Sequence, residues 1–127
     1  MNQKRKLRPI NLDLKTIKFP ITAIVSILHR VSGIVMFFFL GVCLWLLLNL
    51  LKSPSDFLET RFLFENYLVK FVFWVVFTTL TYHVIAGIRH FLMDLGYFDE
   101  LKSSILSAKI TIFITTILSS LLVVILW

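Results

Sequence analysis

The chain has 127 residues, 58% of them hydrophobic and only 16% charged, with a formal net charge of +6. A soluble domain of this length has too little interior to hide so much apolar surface, which excludes a water-soluble globular fold and makes lipid the natural solvent. The basic excess forms no folded polar face, so a nucleic-acid partner is a poor reading; in a membrane protein such Lys and Arg flank the spans and set their direction.

Residues 1–20 read as a polar N-terminal arm bracketed by Pro9 and Pro20, and Asn11-Leu12-Asp13-Leu14 has the pattern of a short interfacial helix. The basic start is followed by polar and charged residues, and the first apolar run is too long for an h-region, so no cleavable signal peptide is expected. Pro20 suits the first turn of the helix that follows.

Residues 21–127 read as one transmembrane domain with spans at about 21–51, 64–93 and 104–127. The uninterrupted apolar run at 31–51 covers ~31 Å at ~1.5 Å per residue, enough for the bilayer core. Cys43 lies inside it, is the only cysteine, and is expected to be a buried structural thiol. Lys52-Ser53-Pro54-Ser55-Asp56 ends the run with turn and charge signals. The second run, 71–88, is slightly short, and Tyr67, Leu68 and Val69 extend it while Lys70 snorkels to the interface. Gly96 beyond it suits a left-handed cap, and Asp94 and Tyr97 suit a solvated turn ahead of the other reading, contact with a partner. The third run, 110–127, borrows 105–108 and ends on Trp127, an aromatic suited to the interface.

Direction follows from the Lys and Arg count. Lys4, Arg5, Lys6, Arg8, Lys15, Lys18 and Arg30 precede the first run, and Arg89, Lys102 and Lys109 flank the second loop, against Lys52, Arg61 and Lys70 at the first loop. The expected fold is therefore an all-α integral membrane protein of three transmembrane helices, N-terminus cytoplasmic and C-terminus periplasmic.

Ionisable groups inside or beside spans are functional candidates by default. His83 lies five residues before Ile88, or ~8 Å along the helix from the cytoplasmic end of span two. A neutral imidazole at that depth needs a hydrogen-bond partner, a metal or a haem iron. An interhelical histidine satisfied by packing is one reading. The neighbours favour the haem: Gly87 and His90 share the face of His83, giving room for a flat macrocycle, with iron at His83 and propionates near His90 and Arg89.

Ser26, His29, Arg30 and Gly33 form a second constellation, again on one helical face. Arg30 reads either as a headgroup-snorkelling arginine or, with the Ser26 hydroxyl one turn away, as part of a site that hydrogen-bonds a quinone carbonyl and offsets the charge of its reduction. In the N-in topology both constellations fall at one level near the cytoplasmic surface, which points to a redox cofactor site. Nothing here suggests an enzyme in itself: there is no dinucleotide loop, no carboxylate pair and no cysteine cluster, so dehydrogenation and iron–sulfur chemistry would belong to other chains.

These motifs resemble the cytochrome b subunit of bacterial-type succinate dehydrogenase. The matching stretches are Arg8-Pro9-Ile10-Asn11-Leu12-Asp13-Leu14, Ser26-Ile27-Leu28-His29-Arg30-Val31-Ser32-Gly33, and His83-Val84-Ile85-Ala86-Gly87-Ile88-Arg89-His90 with Asp94 and Gly96-Tyr97. The likeness runs from the arm to the end of span three. It implies a bacterial inner-membrane subunit, or a mitochondrial one, that anchors a flavoprotein subunit and an iron–sulfur subunit together with a second membrane anchor. It also implies one b-type haem shared between the two anchors, with His83 as one axial ligand and the other from the sister. Ser26 and Arg30 match residues of the ubiquinone site, and His29, Arg30 and His90 resemble residues near the haem propionates. A quinol:fumarate reductase anchor, running the same couple in reverse, and a purely structural three-helix anchor are the alternatives. A two-haem form is disfavoured, because His83 is the only histidine deep in a span.

Overall fold

A computed structural model describes residues 16–127. The arm's basic cluster and the expected interfacial helix at Asn11-Leu12-Asp13-Leu14 lie outside the described residues. Four helices follow in order: α1 (Ile21–Lys52), α2 (Pro54–Leu63), α3 (Tyr67–Asp94) and α4 (Leu101–Leu126). Three of them, α1, α3 and α4, are long and apolar enough to cross a membrane.

α1 is one continuous helix of 32 residues, ~48 Å long, so it outreaches a ~30 Å hydrocarbon core by about three turns. Pro20 stands at the N-cap, just ahead of the first turn, and its carbonyl accepts from the amides of Ala23 (3.0 Å) and Ile24 (3.2 Å). The signals read as a simple stop after Lys52 do more than stop the helix. Ser53 ends α1 in extended conformation and also caps α2, its Oγ accepting from the amide of Asp56 at 3.1 Å, while Pro54 fills the first turn. A turn signature and a helix-start signature use the same residue types, which is why α2 does not stand out in the sequence. α2 packs back on α1, and α3 begins at the Asn66 cap, whose Oδ1 accepts from the amide of Leu68 at 2.8 Å.

α3 ends as expected of Gly96. Its φ is +85°, its amide donates to the carbonyl of Met93 at 2.9 Å, and the amide of Tyr97 donates to that of Leu92 at 3.0 Å. These are the two bonds of a Schellman cap, which needs a residue without Cβ strain at the left-handed position.

α3 packs against both α1 and α4, and α1 also touches α4. The interior is more polar than the exterior. Ser32, Thr60, Arg89, Ser107, Thr111, Thr115 and Ser119 are buried, while Phe37, Phe38, Leu48, Val124 and Ile125 are widely exposed. Lipid tails are as apolar as leucine, so helices there associate through small residues and hydrogen bonds. The α3–α4 seam follows that rule. Ser107, Thr111, Thr115 and Ser119 form a stripe at every fourth residue; Trp74 Nε1 donates to the carbonyl of Ser119 at 3.0 Å, and the hydroxyls of Thr78 and Ser119 lie 2.7 Å apart.

Cys43 departs from expectation: it is exposed on α1 and lines an outer groove instead of being buried. In an inverted interior an apolar thiol is as well solvated outside the bundle as within it.

Candidate functional site

The site lies where the N-terminal half of α1 meets the C-terminal half of α3. Tyr82 pins the two helices there, its hydroxyl donating to the carbonyl of Val25 at 2.7 Å. Val25 and Ala86 are fully buried beside this contact, so the backbones approach closely.

The three histidines come together. His29 stacks on His83 with ring centroids 4.4 Å apart and planes 14° apart, and on its other side His29 meets His90 at 5.0 Å and 40°. His29 is therefore the middle ring, set between two residues of α3. Ser32 lies at the inner edge of the stack. Its Oγ donates to the carbonyl of His29 at 2.7 Å and is 2.9 Å from Nδ1 of His83.

Two glycines admit the rings. A Cβ on Gly33 would stand 3.2 Å from Cε1 of His83, and one on Gly87 would stand 3.4 Å from Nε2 of His29. The clearing at Gly87 thus faces His29 of this same chain. From Gly33 a groove of about 430 Å³ runs toward the membrane interior, lined by Gly33, Met36, Phe37, Leu40, Phe77 and Leu80 among others.

Arg89 also departs from its expected place near the propionates. It is only 4% exposed and turns into the α3–α4 seam, where Nε donates to Ser107 Oγ at 2.9 Å and a terminal nitrogen reaches Ser104 Oγ at 3.3 Å. Arg89 sits one residue before His90, and a step of one residue on a helix turns the side chain by about 100°, away from the histidine face.

Arg30 is exposed and within electrostatic reach of His90. Ser26 is half-buried one turn before His29 and makes no hydrogen bond to another described residue. The cluster is thus graded along α1: a hydroxyl and a cation at the outer end, stacked imidazoles in the middle, and an apolar groove below. Sequence reasoning missed Ser32 and Tyr82 as partners across the helix pair. A serine in a helix interior ordinarily bonds back to its own preceding turn, so nothing in its spacing announces a second bond to another span.

The arrangement suits a flat amphiphilic metal macrocycle better than a bare ion. Among the described residues no three His, Cys, Asp or Glu side chains converge to hold a metal. His29 stacks on His83 and is tilted against His90, so the site offers single ring nitrogens and not a chelating set. A macrocycle that brings its own equatorial donors needs one such nitrogen, a polar end for its carboxylates and an apolar end for its rim.

The sequence profile of the succinate dehydrogenase/fumarate reductase transmembrane subunit family matches residues 4–123. The chain belongs to this family. It is similar to the succinate dehydrogenase cytochrome b556 subunit of Coxiella burnetii, 36% identical over 123 residues that cover 96% of this chain and 95% of the relative. The subunit of the same name from Rickettsia felis is 33% identical over 121 residues, covering 94% and 90%. That of Paracoccus denitrificans is 26% identical, covering 93% and 91%. Family membership and three spanning helices together make this succinate dehydrogenase/fumarate reductase transmembrane subunit a multi-pass protein of the inner membrane.

Proposed function

We propose that this transmembrane subunit binds one b-type haem jointly with a sister anchor and helps form the site at which ubiquinone is reduced with electrons from succinate. The observation that carries the reading is the graded cluster: His29 stacked on His83 and tilted against His90 between α1 and α3, with Arg30 at one end and an apolar groove at the other. His83, deepest of the three, would hold the iron through a ring nitrogen. Arg30, His29 and His90 would meet the propionates, and the groove beyond Gly33 would take the apolar rim. When bound, the haem supplies a one-electron relay.

The names of the relatives favour the succinate-oxidising direction over fumarate reduction. Flavin and iron–sulfur chemistry belong, in this reading, to partner subunits docked on the cytoplasmic face. The charge bias toward the arm and the α3–α4 loop supports an N-in, C-out topology, with residues 1–20 lying on that face ahead of the anchor domain at 21–127. Ser26 and Arg30 project from the start of α1 at that face. There the Ser26 hydroxyl would donate to a quinone carbonyl oxygen, and the guanidinium of Arg30 would stabilise negative charge that develops on it.

A reduced-minus-oxidised spectrum of the assembled complex tests the reading. A b-type signal that is lost or shifted in His83→Ala supports it. A complex of full subunit content with no haem signal in the unmutated protein would leave the chain a structural anchor.

A further inference from the structure

Ser32 is 4% exposed in the middle of α1, and its hydroxyl meets two groups at once: the carbonyl oxygen of His29 at 2.7 Å and Nδ1 of His83 at 2.9 Å. A hydroxyl has one proton, and a carbonyl only accepts. With that proton directed at the His29 carbonyl, the second contact is a hydrogen bond only if His83 carries a proton on Nδ1. The reverse assignment, Ser32 donating to a bare Nδ1, leaves two oxygens 2.7 Å apart with no proton between them. The geometry therefore selects the Nδ1–H tautomer, in which the free lone pair of His83 is on Nε2.

Gly33 reinforces the choice. Cε1, the ring carbon between the two nitrogens, lies where a Cβ on Gly33 would approach to 3.2 Å, so the ring edge rests on the backbone of α1. The stacked His29 covers one ring face. Rotation of His83 is restricted at Nδ1, at Cε1 and on one face, which leaves Nε2 as the nitrogen presented outward.

We propose that Ser32 is the positioning residue of His83: its oxygen accepts from Nδ1–H, fixes the tautomer and ring plane, and so presents Nε2 to an iron. The proposal rests on the reading of His83 as a haem ligand and adds to it which nitrogen binds and what holds it. It also has an electronic consequence. A hydrogen bond from the remote N–H makes a ligating imidazole a stronger donor, and loss of such a partner typically costs ~10–100-fold in metal affinity. Stronger donation favours ferric over ferrous iron, so removing the bond raises the haem midpoint potential.

The test uses the assembled complex with Ser32→Ala and Ser32→Thr. Redox titration of the haem absorbance should give a higher midpoint in Ser32→Ala, by about 59 mV if the ferric preference falls tenfold. Haem should also be lost more readily on dilution in detergent. Ser32→Thr, which keeps the hydroxyl, should return both values toward the unmutated ones, a recovery that a role in packing alone does not produce. An unchanged midpoint and unchanged haem retention in an assembled Ser32→Ala complex overturn the proposal. A structure of the unmutated complex is an independent arm that needs no variant: Nδ1 of His83 within hydrogen-bond distance of Ser32 Oγ supports it, and Nδ1 on any other acceptor overturns it. His83→Ala separates the two levels. If that change leaves the haem spectrum and midpoint as they were, the reading of His83 has failed; if it alters them while Ser32→Ala does not, only the role of Ser32 has failed.

Discussion

The imidazole of His29 lies nearly parallel to that of His83, 4.4 Å between centroids, and its Nε2 rests over Gly87. One residue of α1 thus fills the gap between two turns of α3 and fixes the two spans at a common depth. The two glycines that allow this are not equivalent. At Gly33 a methyl group meets a ring already held by Ser32, at 3.2 Å; at Gly87 it meets His29 at 3.4 Å, close to ordinary contact.

Gly33→Ala should therefore disturb His83 more than Gly87→Ala. Overpacking of this kind costs about 1–3 kcal/mol, which the site can release by breaking the Ser32–His83 bond. The expected outcome is a shifted or weakened haem band in Gly33→Ala and a smaller change in Gly87→Ala, read from difference spectra normalised to subunit content. Equal spectra for the two variants would mean that the ring of His83 is free to move.

Ser26 and Arg30 should affect quinone reduction selectively. A hydrogen bond to a neutral acceptor contributes ~1 kcal/mol and one to a charged species about 1.5–3 kcal/mol, so Ser26→Ala should slow succinate–quinone reduction roughly tenfold at ~1.4 kcal/mol per decade. Arg30→Leu should cost more, because it removes charge and donors together. Succinate oxidation with an artificial acceptor that draws electrons upstream should survive both changes. If the two activities fall in parallel at normal subunit content, the residues serve assembly and the quinone role is wrong.

Much of this was legible in the sequence, for reasons specific to membrane proteins. Three long apolar helices follow from three apolar runs, because a bilayer leaves the backbone few alternatives. The meeting of His29, His83 and His90 follows from helical spacing plus a shared depth. What the sequence hides is rotation about each helix axis. Arg89 and His90 are neighbours in the chain, yet one turns into the α4 seam and the other into the histidine stack. Cys43 faces out for the same reason: in a helix that is apolar all round, hydrophobicity does not tell the inner face from the outer. Ser32 and Tyr82 reach across to the neighbouring span, and no pattern within one helix records a partner in another.

The α3–α4 seam offers a test of how a cation is kept inside the bundle. Ser107 Oγ already donates to the carbonyl of Ser104 at 2.8 Å, so Arg89→Met leaves its proton satisfied and loses chiefly the charged hydrogen bonds, about 1.5–3 kcal/mol. Ser107→Ala instead strands the Nε donor of a buried guanidinium while the charge stays inside, and an unsatisfied buried donor costs about 1–3 kcal/mol, more when it is charged. The thermal stability of the complex in detergent should fall further in Ser107→Ala than in Arg89→Met. The opposite order would show that water or lipid already reaches Arg89.

The subunit should also need a partner in the membrane. Arg30 is exposed and the three histidines are only half-buried, so in isolation they face lipid or an open groove. Expressed alone, the chain should be degraded or aggregate, and co-expression with the sister anchor should rescue it. A stable, monodisperse monomer that binds haem by itself would contradict the shared-site account.

Ligation of the haem iron by His83 is read without ambiguity from a structure of the assembled complex at a resolution that fixes the axial ligands. Absorbance that is retained but shifted in His83→Ala does not contradict it, because His90 or water can replace the lost ligand. Nε2 of His83 should lie within bonding distance of the iron, and a second histidine should come from the sister subunit. A haem whose two axial ligands both come from residues other than His83 would contradict it.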